Sequence, residues 1–176
     1  MISLILLFFL ILLVLLSGFL SGSETAITAT SKARIIYQKK KGIKRAGYVL
    51  KLLDKKDNVI STLLLSNNLV NILASSLATA FFYDIFGVEG IFYATLLMTV
   101  VIVIFAEVLP KTYALNRPNR TALLISPIIY YLNKFLFFFV FVINLIVRVI
   151  FRKNDNDTLN KDLQSEEELK GVIDLY

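Results

Sequence analysis

Three stretches of the chain, about 2–27, 59–82 and 88–109, stay apolar for more than 20 residues each. At about 1.5 Å per residue, each is long enough to cross some 30 Å of hydrocarbon as a helix. A fourth apolar block covers about 123–150. The hydrophobic fraction of 57% and mean hydropathy of +0.72 exceed what a water-soluble core needs, and the apolar residues come in runs. The sequence therefore predicts an all-α integral membrane protein, and an opening apolar run without a basic flank reads as a first span, not a cleaved leader.

Charge orients the spans. Ten of the 19 basic residues fall in 32–56, opposed only by Asp54 and Asp57. The loop "YDIFGVEG", 83–90, holds two acids, two glycines and no basic residue. By the positive-inside rule the basic segment is cytoplasmic and the loop external, so the N-terminus is outside and the C-terminus cytoplasmic in a multi-pass cell-membrane protein. Aliphatic residues at helical spacing on either side of Gly42 predict a basic helical hairpin lying against anionic headgroups. Nucleic-acid binding would use the same charges, but membrane topology already explains them.

The fourth block has basic residues at both ends: Arg117 and Arg120 before it, Arg148, Arg152 and Lys153 after it. It also contains Pro127, Asn133 and Lys134, and its apolar run, 135–147 with Asn144 counted in, is only 13 residues. That pattern favours a juxtamembrane belt helix at the cytoplasmic side and three crossings; four crossings is the alternative. Residues 1–153 then form the transmembrane domain. Residues 154–176 read as an acidic linker and the start of a cytosolic region, with Ser165 and Glu168 placed as a capping box.

Polar residues interrupt the spans where lipid would penalise them. "SGFLSGSETA" places Ser17 and Ser21 four residues apart, "LLLSNNLVNILASS" does the same for Asn67 and Asn71 beside Asn68, and "FAEVLPKT" carries Glu107, Pro110 and Lys111. Spacing of i, i+4 puts each pair on one helix face. Ser21, Asn67 and Glu107 each lie nine residues from the expected cytoplasmic ends near Thr30, Asn58 and Asn116, roughly 14 Å deep. Pro110 cannot donate to the carbonyl of Ala106, which adds a backbone oxygen beside Glu107. The cluster is all oxygen, with one carboxylate.

Hard oxygen donors select Mg2+, Ca2+ or Na+. With no His and no Cys, thiolate metal sites, disulfides and triad catalysis are not expected, so no enzymatic activity is predicted. A packing role competes for the serines and glycines, which allow close helix approach, and a Glu107–Lys111 ion pair competes for the carboxylate. Glu24 either extends an ion path or reaches cytosolic water.

These three stretches, in this order, resemble the signature segments of the transmembrane domain of the CorC and cyclin-M (CNNM) magnesium transporters, across about 2–153. The resemblance implies Mg2+ export coupled to Na+ uptake, a homodimer in the lipid bilayer, and cytosolic CBS modules beyond the acidic linker. Mg2+ is then the transported ion and Na+ the coupling ion. It implies Ser17, Ser21, Asn67 and Glu107 as Mg2+ ligands, with Asn71 matching a further characteristic asparagine. Ser66 departs from the glycine common in the family before the first asparagine. The alternative is a membrane Mg2+ sensor or regulatory partner that moves no ion. A small-residue stretch, "ASSLATA" at 74–80, offers the expected dimer face.

Overall fold

The computed structural model describes residues 2–151, all but a few of them helical. The expected acidic linker and capping box at 154–176 lie outside the described residues. The helices are α1 (Ile2–Ala29), α2 (Lys32–Lys40), α3 (Lys44–Leu53), α4 (Lys56–Phe86), α5 (Glu89–Val101), a π-helical segment (Ile102–Val108), α6 (Leu109–Asn116), α7 (Pro118–Phe135) and α8 (Phe137–Phe151). The α5, π and α6 segments run on without interruption. Among the described residues three helices are long and apolar enough to cross a membrane, spanning Leu4–Ala29, Lys56–Phe86 and Glu89–Asn116. The chain is an all-α membrane protein.

Each expected span is present and slightly longer than its apolar core. The loop expected over 83–90 shrinks to Gly87 and Val88, because α4 and α5 extend into it. Helix extension is favoured there since backbone groups near lipid must bond within the segment. Gly42, at φ 84°, turns the chain between α2 and α3, a left-handed conformation that an L side chain resists. The basic helical hairpin expected from 32–56 is thus present, with its buried side supplied by Ile35, Ala46, Val49 and Leu52.

Those four residues share a core with Ile27 of α1, Val59 and Leu63 of α4, and Ala122, Ile125 and Ile129 of α7. The hairpin end of the bundle is therefore the best packed part of the protein. A smaller cluster of Ala74, Ala78 and Met98 joins α4 to α5 nearer the loop end. Elsewhere the spans show apolar side chains outward, which a bilayer solvates.

The expected belt over 123–150 forms two helices. Leu136, at φ −87° and ψ 7°, leaves helical geometry between α7 and α8. Up to Val140 the chain forms one compact unit, and residues 141–151 of α8 belong to a second. Helix α7 runs across the hairpin end. Its Asn119 side chain accepts from the Ser31 backbone N–H at 3.3 Å, and near its other end Asn133 accepts from the Thr62 hydroxyl at 2.6 Å. Between them the Ser126 hydroxyl donates to the Arg45 carbonyl at 3.4 Å. On α3, Tyr48 packs edge-on against Tyr130 of α7, with ring centroids 5.4 Å apart, and a hydrogen bond with Tyr131 raises its phenol above the ordinary value.

Candidate functional site

Cross-helix contacts fix the register of the three spans. Lys56 Nζ donates to the Thr28 carbonyl at 3.1 Å, and Ser17 meets Asn67 and Asn71, so α1 and α4 run antiparallel. A Cβ placed on Gly18 would sit 3.2 Å from the Phe105 carbonyl oxygen, and one on Gly22 would sit 3.3 Å from the Pro110 carbonyl oxygen. The third span therefore runs parallel to α1 and lies nearly against its backbone. Glu107 falls between these two contacts in sequence. Its height in the bundle is thus that of Ser17 and Ser21.

On the adjoining face, about 100° round the helix from the glycines, α1 presents its serines. Ser17 and Ser21 are fully buried, Asn67 nearly so, and Asn71 half-buried. Ser17 Oγ lies 2.8 Å from Asn67 Oδ1 and 2.5 Å from Asn71 Oδ1. A hydroxyl has one proton, so it can satisfy only one of the two carbonyl oxygens. Three hard oxygen donors thus converge between α1 and α4. One turn on, Ser21 Oγ is buried with no hydrogen-bond partner. A buried hydroxyl left unpaired costs about 1 to 3 kcal/mol, which a bound cation would offset.

The third span departs from α-helical geometry at the level of this cluster. In Ile102–Val108 the helix widens to π geometry, and the Leu109 N–H reaches back five residues to the Ile104 carbonyl. Pro110 withholds the next such N–H, the one that would reach Phe105, and the Phe105 carbonyl is the oxygen closest to Gly18. Single π turns inside α-helices recur at functional sites because they redirect side chains and carbonyls. The sequence pointed to a free carbonyl at Ala106 through Pro110; the widened turn was not foreseen. Pro110 in mid-span was its available signal.

Glu107 lies in this π segment and is half-buried. It makes no hydrogen bond or ion pair with Ser17, Ser21, Asn67 or Asn71. Nor does it pair with Lys111: among the described residues the ion pair present is Lys32–Asp54, 2.8 Å, in the hairpin. The rival reading of Glu107 as the structural partner of Lys111 thus finds no contact to rest on. Asn68 is exposed and stands apart from the cluster. No group of three or more His, Cys, Asp or Glu side chains that could hold a metal occurs among the described residues.

Three spanning helices, a basic hairpin and an all-oxygen cluster between the helices define a multi-pass membrane domain with polar side chains packed between its spans. Residues 7–176 match the family described as the cyclin M transmembrane N-terminal domain, and the chain belongs to that family. It is 37% identical over 160 residues to the UPF0053 inner membrane protein YfjD of Escherichia coli (strain K12), covering 90% of this chain and 37% of that protein. It is 34% identical over 168 residues to a UPF0053 protein of Haemophilus influenzae, covering 93% of this chain and 39% of that protein. The chain spans less than two-fifths of the length of these curated relatives.

Proposed function

We propose that this chain is the membrane domain of a magnesium transporter that exports Mg2+ in exchange for Na+. The observation that carries the reading is the convergence of Ser17, Asn67 and Asn71 oxygens beside the unpartnered, fully buried Ser21 hydroxyl. Glu107 lies level with them on the third span. It supplies one negative charge, and the neutral oxygens complete a shell around a small hard cation, the donor set that Mg2+ prefers over softer metals. As cargo, the ion would shed most of its water on entering the site and regain it on leaving.

Flux through the purified protein in liposomes, with magnesium and sodium gradients varied independently, tests this. Sodium imposed on the side opposite the magnesium should accelerate Mg2+ loss. Magnesium binding without flux would mean a sensor or regulatory partner instead.

The same reading takes the hairpin end as cytoplasmic, the N-terminus as external, and the working unit as a homodimer carrying CBS modules in the full-length protein. Within 74–80, Ala74 and Ala78 are consumed by packing inside the protomer, so the expected dimer face is narrower and centres on the exposed Ser76 and Ala80. The chain has no cysteine, so single cysteines report cleanly. Cysteine at Asn119 should label only from the cytoplasmic side, and cysteine at Ser76 should crosslink two copies. Labelling of the former only from outside would invert the topology, and failure of the latter while other faces crosslink would move the interface.

A further inference from the structure

Below the cluster, α1 carries a second carboxylate that the site as described does not use. At 100° per residue, Ser17, Ser21, Glu24 and Thr28 fall within about 60° of arc, so they form one stripe down one face of the helix. Burial changes along that stripe. Ser17 and Ser21 are fully buried, Glu24 is half-buried, and Thr28 is exposed. The face that is sealed against α4 at Ser17 therefore opens progressively towards the hairpin end. Glu24 stands at the opening, one turn and about 4.5 Å of helix rise from the unpartnered hydroxyl of Ser21.

Among the described residues Glu24 forms no ion pair, although two cations are close in register. Lys56 is spent on the Thr28 carbonyl at 3.1 Å, at the rim of the opening. Lys111, half-buried on α6, follows the Pro110 carbonyl that touches Gly22, so it is level with Glu24, yet the two do not meet. The Thr28 hydroxyl donates to the Glu24 backbone carbonyl at 2.8 Å, leaving the carboxylate itself uncommitted. An unpaired carboxylate at the wet end of a polar stripe, directly below an unpartnered buried hydroxyl, attracts hydrated cations and concentrates them at the mouth.

We infer that Glu24 is a capture site for hydrated Mg2+ at the hairpin-side mouth of the pathway, one step before the ion reaches Ser21. The inference rests on the transport reading for its role but not for its existence. Mn2+, a hexahydrated stand-in that is visible by electron paramagnetic resonance, counts bound ions without any flux. Titrated into Glu107→Gln, Mn2+ should still reveal one weak site, and that site should vanish in the Glu24→Gln, Glu107→Gln double variant. In liposomes, Glu24→Gln should raise the half-saturating Mg2+ on the hairpin side by roughly three- to tenfold with the maximal rate kept, and Glu24→Asp should recover part of the loss.

A residual Mn2+ site that survives in the Glu24→Gln, Glu107→Gln double variant overturns the inference, whether or not the protein transports. Reversal of the Glu24→Gln defect by Lys111→Met also overturns it, because the carboxylate would then serve an ion pair. If the residual site behaves as expected while the wild type moves no Mg2+, the transport reading fails and the capture site stands.

Discussion

Glu107→Gln should lose Mg2+ affinity by about 100-fold or more, because the change keeps the shape of the side chain and removes the negative charge at the level of the cluster. Moving a divalent cation into a low-dielectric bundle costs far more than neutral oxygens return, so the anionic ligand dominates the balance. Ser17→Ala, Ser21→Ala and Asn67→Ala each delete one neutral oxygen and should weaken binding by about 3- to 30-fold. Within that group, Ser21→Ala carries the sharpest contrast. It removes a buried hydroxyl that has no protein partner, so without magnesium the variant should be as stable as the wild type or more so. Ser17→Ala instead removes the one proton that the Asn67 or Asn71 carbonyl accepts and should destabilise the protein in either condition. Calorimetry and thermal unfolding with and without Mg2+ read both effects. Unchanged affinity in Glu107→Gln would falsify its assignment as a ligand. Because Glu107 and Lys111 are not in contact, Lys111→Met should not rescue Glu107→Gln.

Lipid makes a sequence like this unusually legible. Burial in water leaves many folds open to an apolar run, whereas a run longer than 20 residues in a bilayer has one economical solution, and all three expected spans formed, the third running on to Asn116 beyond its expected limit near 109. The i, i+4 pairs of α1 and α4 were readable for the same reason: spacing fixes the face once the helix is certain. Ser17, Asn67 and Asn71 are joined accordingly.

Features that depend on tertiary contact were not legible. The π turn over Ile102–Val108 arises where Pro110 and the flat glycine face of α1 press together, and neither helix alone predicts it. The break at Leu136 has no proline or glycine to announce it, since the local sequence "FLFFF" is apolar throughout. The division of 74–80 between internal packing and an outward face followed from where α5 docks, which composition does not encode.

That glycine face carries the second large expectation. A Cβ on Gly22 would lie 3.3 Å from both Pro110 Cβ and the Pro110 carbonyl oxygen, and one on Gly18 would lie 3.2 Å from the Phe105 oxygen. Gly22→Ala gains helix propensity of about 1 kcal/mol, which roughly offsets the tight contact. Gly22→Val has no such balance. Its branches must displace backbone that the π turn has already fixed, at about 1 to 3 kcal/mol for overpacking and a fall of several degrees in Tm. Separation of α1 from the third span also carries Ser17 and Ser21 away from Glu107, so Mg2+ affinity should fall even in the fraction that stays folded. Gly47 in α3 is the control: nothing lies within 4 Å of a Cβ there, and Gly47→Ala should stabilise the protein by up to about 1 kcal/mol with Mg2+ affinity unchanged. Thermal unfolding of the three variants across a magnesium titration separates the effects. If Gly22→Val lowers Tm yet keeps the full Mg2+-dependent rise, the close contact is structural alone, and the carboxylate and the serines do not act on one ion.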